Sequence, residues 1–85
     1  NWDVSSVTSM LGMFDGTSFN QPIGGWNVSN VTDMTRMFFN ANSFNQDLTA
    51  WNVDNVLSCQ VFHGTTTGNN SVWTLPQPNF TNCTP

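Results

Sequence analysis

The sequence predicts an α/β-type solenoid: short strand-plus-helix units of 24–25 residues, stacked in series and closed by a disulfide-tethered C-terminal cap. Two observations carry that expectation. Trp2, Trp26 and Trp51 each open a near-copy of one block, reading WDVSSVTSMLGMF, WNVSNVTDMTRMF and WNVDNVLSCQVF, with spacings of 24 and 25 residues. A period in the twenties belongs to one supersecondary unit per repeat, stacked because no unit buries its apolar face alone. The two cysteines fall where a staple is useful, Cys59 in the last copy and Cys83 in the tail. The spacing divides the chain into repeat 1 over residues 1–25, repeat 2 over 26–50, a divergent repeat 3 over 51–64, and a cap over 65–85.

The strand comes first in each unit. Ile23-x-x-Trp26-x-Val28 and Leu48-x-x-Trp51-x-Val53 fit the L-x-x-L-x-L spacing of a leucine-rich repeat. Apolar positions two apart share one side of a strand, so Asp3, Asn27 and Asn52 between them are expected to face outward as a contact strip. The polar step that follows (Ser5-Ser6, Ser29-Asn30, Asp54-Asn55) suits a helix cap. Val7, Met10, Met13 and Phe14 then recur as Val31, Met34, Met37 and Phe38, the spacing of a short amphipathic helix. In the third copy the pattern reads Val56, Cys59, Val61 and Phe62, in a shifted register. The remainder of each unit is turn-rich around one phenylalanine, Phe19 or Phe44.

After Phe62 the pattern dissolves. Trp73, Leu75, Pro76, Pro78 and Phe80 are expected to form a non-repeating cover over the last unit, with the prolines blunting its edge. A bridge from Cys59 to Cys83 would lash this cover down and contribute about 3 kcal/mol by restricting the unfolded chain. Two buried free thiols are the alternative. A disulfide implies an oxidising compartment: extracellular, periplasmic or at the cell surface.

Eighty-five residues make at most one domain with a marginal core. Hydrophobic residues are 38% and aromatics 13%, which is not a disordered composition. Charge is scarce, at 7%, with Arg36 the only basic side chain apart from one histidine. One arginine cannot neutralise a nucleic-acid backbone or hold a polybasic contact with anionic lipid. No apolar run reaches bilayer-spanning length. The chain begins without Met and without a signal-peptide pattern, so residue 1 is expected to be a processed or truncated start.

No catalytic constellation is legible, and the chain is expected not to be an enzyme. His63 sits in a Gly- and Thr-rich turn, where a solvated loop histidine is the ordinary outcome. One histidine and two cysteines 24 apart make no zinc spacing, no carboxylate pair suggests glycosidase chemistry, and no cofactor is implied. Stacking of Asp3, Asn27 and Asn52 would give either a hydrogen-bonded polar ladder or an oxygen-lined calcium site. N-x-[ST] occurs at Asn27, Asn30, Asn69, Asn79 and Asn82. These are competent N-glycosylation acceptors, or chance products of a chain rich in Asn, Ser and Thr.

The block W-[DN]-V-S-x-V-T-x-M-x-x-M-F followed by S-F-N-Q-x-[IL]-x-x-W, over residues 2–62, resembles the BspA-like leucine-rich-repeat surface proteins, whose repeats also occur in mycoplasma lipoproteins. The tail W-T-L-P-x-P-N-F-T-N-C is similar to a C-terminal ending of such arrays. The resemblance implies a secreted or surface-displayed protein of adhesion or recognition, with no catalytic residues to carry over. The third copy departs from the pattern at Leu57, Cys59 and Val61.

The expected function is therefore a non-enzymatic extracellular module acting by surface contact, its partner a protein or glycan at a cell surface or matrix. The rival is a structural subunit of an extracellular filament, built by head-to-tail stacking through an open first repeat and glycan-coated if the sequons are used.

Overall fold

A computed structural model describes residues 3–64 and 73–85; Trp2 and the Asn69 sequon lie outside the described residues. Its backbone overturns the expected α/β-type solenoid. Among the described residues there is no helix, and the only regular strands are β1 (Phe38–Phe39) and β2 (His63–Gly64), paired in parallel with Phe38 opposite His63. The three copies do lie side by side as layers, joined by parallel bridges from Ser9 to Asp33 and from Asp33 to Ser58.

The segment expected to be helical is built from two alternating kinds of hydrogen bond. Met10, Gly12, Phe14 and Gly16 donate their N–H groups to the carbonyls of Asp33, Thr35, Met37 and Phe39 in the second layer, at 2.8–2.9 Å. Met34, Arg36, Phe38 and Asn40 donate in the same way to Ser58, Gln60, Phe62 and Gly64 in the third, at 2.7–3.1 Å. The amides between fold back on their own layer: Met13, Asp15 and Thr17 donate to Met10, Gly12 and Phe14, and Met37, Phe39 and Ala41 to Met34, Arg36 and Phe38. An α-helix needs i to i−4 bonds throughout, whereas here each turn reaches back three residues and every second amide leaves the layer.

The backbone angles explain why no helix persists. Gly12 (φ 61°), Arg36 (φ 56°) and Val61 (φ 48°) occupy the same position in successive layers, and Gly16 (φ 73°) and Asn40 (φ 57°) share another. A left-handed residue every fourth position interrupts any right-handed helix. The i, i+3 apolar spacing survives because three-residue turns place the same side chains inward. Val31, Met34, Met37 and Phe38 are completely buried.

The register of the third layer also differs from the expectation. The hydrogen bonds align Cys59 with Met34, Val61 with Arg36, Phe62 with Met37 and His63 with Phe38. There is no shift: Phe62 takes a methionine's place and is fully buried, while Val61 is exposed.

A spine of aromatic rings runs through the layers. Phe14 stacks on Phe19 and Phe38 at centroid distances of 4.4 and 5.3 Å, and Phe38 on Phe44 at 4.1 Å. Phe38 meets Phe62 at 5.3 Å and Trp73 at 5.2 Å, and Phe62 meets Phe80 at 4.9 Å. Offset and edge-on ring pairs of this kind add to the area they bury. Gly24 is required by a close approach between layers, because a Cβ there would sit 2.7 Å from the Asp47 carbonyl oxygen.

The tail continues the repeat. Asn45 N–H donates to Asn20 Oδ1, and Thr74 N–H donates to Asn45 Oδ1, both at 2.9 Å, which places Trp73 where the second layer has Phe44. Trp73 and Phe80 then keep the seven-residue step of Phe19 to Trp26 and Phe44 to Trp51. Residues 73–79 thus complete the third layer, and residues 80–85 begin a fourth. The disulfide joins Cys59 to Cys83 across 5.9 Å between Cα atoms and ties that beginning to the core.

Candidate functional site

The polar step after each tryptophan, expected to cap a helix, instead builds a ledge along one edge of the layers. Asp3 Oδ1 accepts from Ser5 N–H (3.0 Å) and Ser5 Oγ–H (2.6 Å). Asn27 Oδ1 accepts from Ser29 N–H (3.1 Å) and Oγ–H (2.6 Å), and Asn52 Oδ1 from Asp54 N–H (3.0 Å). These are Asx turns, in which a short side chain accepts from an amide two residues on. One oxygen of each strip residue is therefore used locally, while the rest of Asp3, Asn27 and Asn52 stays exposed, as the alternation placed it. The Ser5 hydroxyl and then the Ser5 amide hold the Asp3 carboxyl below the usual carboxylate range, so the strip keeps its negative end in mild acid.

The three positions are locked in register by a second row. Asn30 Nδ2 donates to the Ser5 carbonyl (2.8 Å), Asn55 Nδ2 to that of Ser29 (2.7 Å), and Asn82 Nδ2 to that of Asp54 (2.6 Å). Each layer is thus clamped to the one before it by one asparagine. The structure brings Asp3, Asn27 and Asn52 into a hydrogen-bonded polar ledge. Among the described residues no group of three or more His, Cys, Asp or Glu side chains is placed to hold a metal ion.

The geometry sorts the sequons. Asn30 and Asn82 have their side-chain nitrogens engaged in the interlayer row. Asn27 is exposed with its oxygen in the Asx turn, and Asn79 is exposed in the tail. Asn52 accepts in an Asx turn as Asn27 and Asp3 do, and Asn55 donates between layers as Asn30 does, although neither Asn52 nor Asn55 is a sequon, so both positions serve the fold without a glycan.

A shallow groove of about 310 Å³ opens beside the disulfide, lined by Thr35, Leu57, Gln60 and Thr84. Its walls carry hydroxyls, an amide and bonded sulfurs, with no acid or base. Arg36 is engaged elsewhere, over the Phe39 ring (4.1 Å) and beside Asp15 Oδ2 (3.3 Å).

His63 is not a solvated loop residue. It is half-buried in β2, with its ring 5.6 Å from that of Trp73, and burial pushes its pKa down. Among the described residues His63 Nδ1 and Trp73 Nε1 are buried without a hydrogen-bond partner. The Phe38 position of the second layer is the signal that places it: His63 stands where the repeat has phenylalanine.

No helix among the described residues is long and apolar enough to cross a membrane. Comparison with curated proteins and with solved structures gave no match. A family model described as Mycoplasma protein of unknown function, DUF285, matches residues 1–80.

Proposed function

The chain belongs to the DUF285 family, and from there we propose that it is a non-enzymatic contact module of the BspA-like type, displayed outside the cell, that recognises a protein or glycan through the Asp3, Asn27 and Asn52 ledge. The observation that carries this reading is the doubled row of side-chain bonds. Asx turns set each strip residue, and Asn30 and Asn55 hold neighbouring layers in register, so three polar groups stand preorganised at repeat spacing. Preorganised polar groups bind without first losing rotamer freedom. The disulfide supports an oxidising location.

The test replaces Asp3, Asn27 and Asn52 together by serine. A serine hydroxyl still accepts from the amide two residues on, so the turns persist while the carboxylate and amides are lost. Binding to immobilised glycans and matrix proteins should disappear with the fold intact by circular dichroism. Undiminished binding by the folded triple variant would remove the ledge from the reading.

A further inference from the structure

The third layer carries nitrogen where the repeat carries hydrocarbon. Each layer seats one pair of rings: Phe14 with Phe19 at 4.4 Å, Phe38 with Phe44 at 4.1 Å, and His63 with Trp73 at 5.6 Å between centroids. Only the last pair brings polar atoms into that place. Among the described residues His63 Nδ1 and Trp73 Nε1 are buried without a hydrogen-bond partner, whereas Trp51 Nε1 donates to the Ile23 carbonyl at 3.0 Å. In the histidine cation both ring nitrogens are donors, so a proton leaves Nδ1 as a second orphaned donor in the same ring cluster and adds a charge. Nothing packed on the ring offsets that charge. Phe38 from the second layer, Phe62 from its own layer and Trp73 do not titrate, and residues 65–72 contain no ionisable side chain. Arg36 and Asp47, on the layer beneath, are engaged elsewhere: Arg36 with Phe39 and Asp15, Asp47 with Thr49.

The segment that brings Trp73 is lightly held. The Thr74 and Leu75 N–H groups share one acceptor, Asn45 Oδ1, at 2.9 Å each. Asn45 Nδ2 donates to Thr74 Oγ1 (3.1 Å), and the Leu48 N–H donates to the Pro76 carbonyl (3.0 Å). Thr74, Leu75 and Pro76 are exposed, so the segment's apolar hold is Pro78 and the Trp73 ring against Phe38, Phe44 and Phe62. An element with few buried contacts and exposed hydrogen bonds opens before the core does. Beyond it Cys83 is bonded to Cys59, so opening leaves the tail attached. We propose that residues 73–79 are an acid-released strap: a proton on His63 frees Trp73 from the ring cluster and bares Phe38, Phe44 and Phe62, while the stacked layers and the bridged tail stay folded. The linkage has one sign. Burial pushes the His63 pKa down in the closed form, so the open form takes up the proton more readily and falling pH favours opening. The strap does not depend on the ledge reading.

The test is amide hydrogen exchange of the oxidised chain between about pH 7.5 and about pH 5, above the titration of ordinary carboxylates at about 4. Leu48, Thr74 and Leu75 are the amides bonded across the strap. Their protection, corrected for the intrinsic exchange rate, should fall by up to about tenfold per pH unit below about 6.5. Phe14 and Met34, bonded between layers, should keep theirs. His63→Phe, which restores the ring of the repeat, should hold the strap closed across the range. If that variant does not fold, His63→Gln removes the titrating group with a smaller change and should do the same. Strap amides that follow Phe14 and Met34 at every pH overturn the proposal, as does a folded His63 variant that keeps the wild-type fall.

Discussion

The second and third layers use the same backbone for different ends, and the differences sit at a few positions. Met34, Arg36, Met37 and Phe38 in the second correspond to Cys59, Val61, Phe62 and His63 in the third. The ladder bonds at these positions are backbone bonds, so they tolerate the exchange. What changes is how each layer is held. The middle layer has neighbours on both faces and is fully buried at Met34, Met37, Phe38 and Phe44. The third layer has a smaller sulfur side chain where methionine stood and an imidazole where phenylalanine stood. A disulfide and the ring of Trp73 hold it instead. Both layers bury their core, but the centre is held by converging rings alone, and a covalent bridge is added at the end.

Breaking the centre should have the largest effect. Phe38 touches Phe14, Phe44, Phe62 and Trp73, so Phe38→Ala removes the ring on which the others converge. A buried Phe→Ala change costs about 3–5 kcal/mol, which for a chain this small leaves little stability. Phe19→Ala, at a half-buried position in the first layer, should cost visibly less in the same urea titration. Equal costs would mean that the centre is not special.

Breaking the end comes next. Reducing the Cys59–Cys83 bridge should lower stability by about 3 kcal/mol in the chain-entropy account. The loss should concentrate in the third layer and tail. Amide exchange of Phe62, bonded to the Cys59 carbonyl, should therefore accelerate well before that of Met34, and uniform acceleration would contradict the division between centre and end.

His63 sharpens the comparison through pH. Burial lowers its pKa in the folded state below the ordinary 6.5, so below that value the unfolded chain takes up a proton more readily. Its contribution is complete above about 6.5 and is lost as pH falls toward the folded value. The partners at this site, Phe38, Phe62 and Trp73, carry no charge to offset the proton. His63→Phe, the residue of the second layer, should flatten the stability profile in that window and leave the acid limb of the aspartates. An unchanged slope would place the titrating group elsewhere.

Much of this division is legible in the chain. The tryptophan period marks the layers, the buried set follows from Val31, Met34 and Phe38, and the outward strip follows from alternation. The helix does not follow, because a three-residue turn and a helix both bring i and i+3 to one side. The deciding angles lie at Arg36 and Val61, residues that do not advertise a left-handed backbone. Gly12 does, and reading it as the template for its two counterparts is the available signal. The tail hides its repeat because tryptophan and phenylalanine exchange places: Trp73 and Phe80 keep the step of Phe44 and Trp51 with the ring types reversed. Matching Phe62 to Phe38 by type rather than by backbone count also hides the role of His63.

Those left-handed positions yield the smallest and most discriminating prediction. Gly12, Arg36 and Val61 share one backbone conformation, yet only glycine adopts it freely. Arg36 is compensated by its place over Phe39 and its pair with Asp15. Val61 is β-branched and 45% exposed, with no such partner to justify the strain. Val61→Asn should raise stability by about 1 kcal/mol, the order of the left-handed penalty that asparagine largely escapes. Val61→Gly should gain less, because glycine also loosens the unfolded chain. Arg36→Gly should gain nothing, since removing the guanidinium from Phe39 and Asp15 offsets the strain relieved. A stabilised Arg36→Gly, or a destabilised Val61→Asn, would show that the third-layer valine is held by something other than the shared turn. If Val61 is the weak point of the layer, the gain should persist after the disulfide is reduced, because strain in the backbone and restraint by the bridge act on the fold independently.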